Sequence, residues 1–268
     1  MSRAGQDENT NTGTGRNIAL RLAYDGTRYH GWQEQPRDVT VAGTLKDALR
    51  RICPDAGAIT GCSRTDAGVH ALRYCASFKT AASIPAERLP FALNTYLPRD
   101  IAVLDAVNAP EDFNAILSCE KKEYIYKIRS SRLRDPFMNG RAYFYHSRLD
   151  VEKMRRAARD FVGTRDFAAV RSVGTETKTT IRTVYHCELD RDGDELTVRI
   201  CADGFLYNMA RAIVGTLLYV SEGKIAPDGI DAILQARDRR AAGPTAPPQG
   251  LYLARVWYDG AVGEMMER

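Results

Sequence analysis

The chain has 268 residues, of which 44% are hydrophobic and 27% charged, with a formal net charge of +4. This length and mixture exclude a disulfide-stapled miniprotein and a wholly disordered chain, and they predict two domains of ordinary size. No run approaches the ~20 apolar residues of a membrane-crossing helix, and so small a positive charge is by itself a weak argument for nucleic acid.

The opening residues, MSRAGQDENTNTGTGR, lack an apolar core, so neither a signal peptide nor a transit helix is expected and residues 1–16 read as a disordered tail. From Ile18, the residues Ile18, Leu20, Leu22 and Tyr24 alternate with Ala19, Arg21 and Ala23, which predicts a strand with one buried face. Asp25-Gly26 marks a turn at the start of YDGTRYHGWQEQP. Thr40 can cap a helix with Val41, Leu45, Ala48, Leu49 and Ile52 on its core side and Lys46, Asp47, Arg50 and Arg51 facing water. A strand pair starting at Ala58 and at His70 follows, then a helix from Pro85 to Leu97 and a strand from Ile101 to Val107. This β-α-β-β-α-β order is the split βαβ, or ferredoxin-like, arrangement met in RNA-recognition domains.

Beyond the turn-rich stretch Asn108 to Asp112, strands are predicted at Glu123 to Arg129 and Arg141 to His146. A helix from Asp150 would carry Val151, Met154, Ala158, Phe161 and Val162 on one side. Arg182 to Leu189 and Glu195 to Cys201 flank an Asp192-Gly193 turn and read as a hairpin. Leu206 to Val220 is apolar nearly all round, a buried helix; Asp228 to Arg237 is a shorter exposed one, and Tyr252 to Trp257 is expected to close the sheet. Residues 243–250 are a loop.

Two stretches carry chemistry. Gly61-Cys62-Ser63-Arg64-Thr65-Asp66-Ala67-Gly68-Val69-His70-Ala71 puts small and polar residues between two strands, a loop of the kind where reactive groups sit. In an extended segment residues i and i+2 point the same way, so Arg64 and Asp66 can face one cavity. A surface ion pair worth ~0–1 kcal/mol accounts for the same two residue types. Further on, Lys121, Lys122, Lys127, Arg129, Arg132 and Arg134 stand against only Glu123, with Tyr124 and Tyr126 interleaved. Cations can track phosphates while rings stack on bases, so this is either an RNA-facing strand or a solvated sheet edge. The cysteines Cys53, Cys62, Cys75, Cys119, Cys187 and Cys201 form no C-x-x-C pair and are expected to be reduced thiols in a cytoplasmic protein. His30, His70, His146 and His186 show no spacing that suits zinc, so no metal site is expected.

SRTDAGVHA resembles the GRTDAGVHA signature of the tRNA pseudouridine synthase A (TruA) family, differing at one place in nine. Other strings resemble family elements too: YDGTRYHGWQEQ, NTYLPRDI, Lys122-Glu123-Tyr124-Ile125-Tyr126, GFLYNMAR followed by Ile213-Val214-Gly215, and GLYL at Gly250 to Leu253. The resemblance runs from Tyr24 to Tyr258. It implies an α+β fold of two ferredoxin-like αβ domains, residues 17–108 and 109–268, sharing a mostly antiparallel sheet with the active-site cleft between them. It implies isomerisation of uridine to pseudouridine in the anticodon stem-loop of tRNA, typically at positions 38 to 40, by a cytoplasmic homodimer.

The implied roles are Asp66 as nucleophile, Arg64 orienting Asp66 and filling the space left by the flipped base, and Tyr124 stacking on the uracil with a possible part in proton transfer. Lys127, Arg129, Phe205 and Arg211 are the further candidates for RNA contact, Phe205 and Met209 mainly by packing around the site. Breaking the N1–C1′ bond and rejoining the base through C5 involves no redox change, so no cofactor or metal is required. Attack of Asp66 on C6 of the base and on C1′ of the sugar both remain open. The chain departs from the family at Cys62-Ser63, where Ala-Gly is common, and at Phe113-Asn114-Ala115-Ile116, where F-x-A-R is common; Ile116 thus removes one basic contact. Two rival readings are an RNA-binding protein without activity and a metal-dependent phosphoesterase using Asp66 and Asp25.

Overall fold

The computed structural model describes residues 15–172 and 177–268. The expected tail lies outside the described residues up to position 14, whereas Arg16 already pairs with Thr80 as the first residue of strand β1 (Arg16–Tyr24). The alternation read from Ile18 is met: Ile18, Leu20, Leu22 and Tyr24 are buried.

The first half continues with α1 (Val41–Ile52), β2 (Thr60–Gly61), β3 (His70–Thr80), α2 (Leu89–Asn94) and β4 (Ile101–Ala109). Thr40 caps α1 as its sequence predicts, its Oγ1 accepting from the Gly43 N–H at 3.2 Å. The helix expected from Pro85 to Leu97 is shorter, a 3-10 turn at Ala86–Arg88 running into α2, because Pro90 fixes the first turn and the chain loosens after Asn94. The second half contains β5 (Lys121–Ser130), β6 (Tyr143–Tyr145), α3 (Val151–Arg159), β7 (Gly163–Asp166), β8 (Ile181–Asp192), β9 (Glu195–Ala202), α4 (Met209–Ser221), α5 (Ile230–Ala236), β10 (Leu251–Trp257) and α6 (Gly260–Glu267). The α3 cap at Asp150 and the β8–β9 hairpin around Gly193 match their sequence signals. β7 and α6 have no counterpart among the predicted elements.

Among the described residues the strands join one ten-stranded sheet in the order β4-β1-β3-β10-β5-β9-β8-β7, with β2 beside β3 and β6 beside β5. The pairings are antiparallel except β10 with β3 and β6 with β5. The fold is therefore α+β on a large, mostly antiparallel sheet. One expectation is corrected: β10 does not close the sheet at an edge but lies in its middle, joining β3 of the first half to β5 of the second. Its burial fits that place, since Leu251, Tyr252, Leu253 and Ala254 are all buried, the pattern of a strand covered on both faces. The apolar sides of β1, β3, β5, β8 and β9 share a single core cluster with α1, α3 and α4. Helix α6 lies against β4, β1 and β10, and Arg73 donates to its last carbonyls, those of Met266 and Glu267. The six cysteines are free thiols, and burial pushes Cys62 and Cys187 up to about 12.

Candidate active site

Asp66 sits on the loop between β2 and β3, and that loop is clamped from below. Thr65 turns inward, its hydroxyl 2.8 Å from that of Tyr24, while its carbonyl accepts from the Trp32 N–H at 3.1 Å. The Val69 N–H donates to the Asp66 carbonyl and the Gly68 N–H to that of Tyr29, closing a turn immediately after Asp66. Beneath lies an aromatic stack, with Trp32 and Tyr74 rings 4.2 Å apart and Tyr24 5.6 Å from Tyr74; the Tyr74 hydroxyl donates to the Ser63 carbonyl. The YDGTRYHGW segment is thus the bracket of the Asp66 loop. Gly31 has φ +88°, and a Cβ there would run into the Thr65 carbonyl oxygen, so glycine is required on both counts.

With Thr65 turned in, Arg64 and Asp66 both face the cleft, as their i, i+2 spacing predicts. They are not bonded to each other. The Asp66 carboxylate accepts from Arg211 Nη1 at 3.1 Å, and Arg211 is itself held by the Asn208 side-chain oxygen at 2.8 Å and the Ala246 carbonyl at 2.6 Å. Among the described residues no hydrogen bond or ion pair joins Arg64 to Asp66, and Arg64 stands exposed to water. The expectation that Arg64 orients Asp66 is corrected accordingly: the Arg211 guanidinium, on the first turn of α4 and anchored at two points by Asn208 and Ala246, already holds the carboxylate. Arg211, expected to contact RNA, commits its Nε and Nη1 donors to the site itself. Asp66 is 30% exposed, and its partial burial pushes the carboxyl above its usual range, while the charge and hydrogen bond of Arg211 pull it back down.

Tyr124 is buried opposite the loop, its hydroxyl 2.9 Å from Ser63 Oγ and its ring edge-on to Phe205 at 4.8 Å. Burial drives its phenol well above the ordinary value, so it is a neutral hydroxyl at physiological pH. Lys122, on the same side of β5, donates to the Cys62 carbonyl at 2.5 Å. Lys127 and Arg129 stand elsewhere. An odd number of residues from Tyr124 in a strand without bulges against β9, they point to the opposite face. There Lys127 lies over the Tyr252 ring and Arg129 is within 3.5 Å of Asp194 and 3.6 Å of Glu195. Neither lines the cleft.

The cleft holds about 980 Å³, at the top of the ~300–1,000 Å³ range of small-molecule pockets. Among the described residues its charged lining is Asp66 against Arg64, Lys122, Arg171, Arg182 and Arg211. Sequence reasoning missed Arg171, Arg182 and Ser63 as cleft residues. Only Ser63, inside the SRTDAGVHA string, carried a local signal; the two arginines reach the site through the fold. Among the described residues no cluster of His, Cys, Asp or Glu suits a metal ion. Asp25, the second carboxylate of the phosphoesterase reading, is outside the cleft and accepts from Thr27 and Arg141.

A family model described as tRNA pseudouridine synthase matches residues 22–117 and 157–259. The chain is 46% identical over 243 residues to the tRNA pseudouridine synthase A of Caldicellulosiruptor bescii, an alignment spanning 91% of this chain and 100% of that one. This chain belongs to the tRNA pseudouridine synthase A family. Its relatives include the tRNA pseudouridine synthase A of Thermoanaerobacter sp., 45% identical with the same coverage. That of Bacillus subtilis is 44% identical over 90% of this chain and 99% of its own. Of the residues that build the site, Asp66, Arg64, Phe205 and Arg211 fall within the stretches matched by the tRNA pseudouridine synthase family model, and Tyr124 falls between them.

Proposed function

We propose that this protein isomerises uridine to pseudouridine in the anticodon stem-loop of tRNA, at positions 38 to 40 of tRNA numbering, with Asp66 as nucleophile. The observation that carries this reading is a partly buried carboxylate, held by Arg211, in a cleft whose other charged lining residues, among the described residues, are all cations. Cations hold the phosphates, and the Asp66 carboxylate is an anionic group placed to attack electron-poor carbon. The target base leaves its stack, at a cost of a few kcal/mol, and its ring lies against Tyr124. Arg64, exposed beside Asp66, fills the vacated space. The N1–C1′ bond breaks, the base turns, a C5–C1′ bond forms and the bond to Asp66 is released; the C5 proton passes to solvent through the neutral Tyr124 hydroxyl, which gives its own proton to Ser63 Oγ at 2.9 Å as it accepts, and N1 takes up one proton in exchange. Atoms and electrons balance without redox chemistry, so the scheme calls for no cofactor or metal.

We read the strand orders β4-β1-β3-β2 and β10-β5-β9-β8 as two ferredoxin-like units, residues 17–108 and 109–268, that meet along β3 and β10 and frame the cleft. The active form is assigned as a cytoplasmic homodimer. Leu133 and Phe137, 80% and 84% exposed, are apolar surface that such a pairing would cover. Sedimentation at micromolar concentration checks this, and a fully active monomer there would refute it.

The decisive experiment is Asp66→Asn. The amide keeps the size of the side chain and loses its nucleophilicity, so the variant is expected to bind tRNA with at least wild-type affinity and to form no pseudouridine. Pseudouridine appearing at the normal rate, in protein shown by mass to have stayed asparagine, would place the chemistry elsewhere.

A further inference from the structure

We propose that Ile116 is a further RNA-binding residue: an apolar ledge on which an unpaired base of the RNA, neighbouring the isomerised uridine, stacks. The inference rests on the function proposed above. Ile116 lines the same cleft as Asp66 and is 48% exposed; Leu117 beside it is 84% exposed. A single exposed aliphatic residue is ordinary, but this one lines a cleft that also carries five cations, and it is prevented from turning inward. The Asn114 side-chain oxygen accepts from both the Ile116 and the Leu117 N–H, at 2.9 and 3.1 Å. Ser118 Oγ accepts from the Asn114 N–H, and the Ser118 N–H returns to the Asn114 carbonyl at 2.9 Å.

The turn is anchored from behind as well. Ala115 is fully buried, its N–H donates to Ser77 Oγ at 3.3 Å and its carbonyl accepts from the Tyr258 hydroxyl at 2.6 Å. The exposed apolar pair is therefore preorganised, and a ligand covering it immobilises little that is not already fixed. Of the parts of an RNA, a phosphate gains nothing from an isoleucine. The flat face of an unpaired base does, as apolar side chains that wedge against bases illustrate. The cations around the cleft fit the phosphates on either side of such a base.

The test is Ile116→Ala, with tRNA binding measured beside steady-state turnover. Contact with substrate and transition state alike predicts a higher KM and Kd with kcat unchanged. For an isoleucine already half out of water the rise is expected to be on the order of three- to tenfold. The slope of log Kd against log salt should not move, and Ile116→Met should restore most of the affinity. Ile116→Lys should bind no better than wild type. The proposal is overturned if Ile116→Ala leaves KM and Kd unchanged. It is equally overturned if Ile116→Lys tightens binding with a steeper salt slope, which would make the position a phosphate contact. A shift in sedimentation with KM unmoved would make it a protein contact and would also overturn the proposal. A wild-type protein that forms no pseudouridine in tRNA would instead refute the function proposed above, a result separable from any outcome at Ile116.

Discussion

The carboxylate of Asp66 is balanced between two opposing effects, and the balance sets its pH dependence. Burial raises its pKa and Arg211 lowers it, with burial the larger. In the proposed mechanism the ionised form is the reactive one, so single-turnover activity should fall as pH drops through a value above the usual ~4 of a carboxylate. Arg211→Gln removes the lowering influence and leaves burial, and the acid limb should move to higher pH; an unmoved limb would mean that Arg211 does not govern the ionisation of Asp66. Tyr124→Phe is expected to keep tRNA affinity, because the ring remains, and to lower kcat by about a hundred- to ten-thousandfold, the range of lost general acid–base help. Full turnover would leave Tyr124 as a stacking platform. Since burial holds the Tyr124 phenol far above neutrality, no loss of activity due to its ionisation should appear below pH 10.

Helix α4 and the loop that follows α5 position Arg211 together. A Cβ on Gly215, in the middle of α4, would run into the Pro244 carbonyl oxygen, and the Gly243 N–H donates to the Thr216 hydroxyl at 3.0 Å. That close approach is what delivers the Ala246 carbonyl to Arg211 Nε. Gly215→Ala should push the loop outward, lower the melting temperature and shift the acid limb of activity in the same direction as Arg211→Gln. A drop in melting temperature with the pH profile unchanged would show that the loop stabilises the fold without tuning the site. At the other side of Asp66, Gly31→Ala should cost more than the ~1–2 kcal/mol of a left-handed alanine, because Thr65 must also move. Its effect should fall mainly on kcat, read at saturating tRNA.

The field of the whole molecule is modest, and what counts is where its cations stand. Arg171 and Arg182 line the cleft, whereas Arg129 faces the other side of the sheet beside two acids. Each phosphate-contacting cation removed should lessen the slope of log K against log salt by about 0.7–0.9. Arg171→Gln and Arg182→Gln are therefore expected to flatten the dependence, and Arg129→Gln to leave it unchanged. The reverse ordering would mean that RNA lies across the opposite face.

Most local structure was legible in the sequence because it depends on neighbours along the chain. The alternation of β1, the Thr40 and Asp150 caps, the Gly193 hairpin and the apolar α4 each follow from period or turn chemistry, and SRTDAGVHA marked Asp66 by resemblance. The shared orientation of Arg64 and Asp66 also followed from spacing. Only the tertiary structure decided which cation holds the carboxylate: Arg211 is 145 positions from Asp66, and nothing in the intervening sequence says that α4 will point its first turn at the β2–β3 loop. It decided too that β10 runs through the centre of the sheet, since a seven-residue apolar strand reads alike in any buried position. The facing of Lys127 and Arg129 away from the site was set by register, because the basic run shows its charge in one dimension and a pleated strand sends alternate side chains to opposite sides.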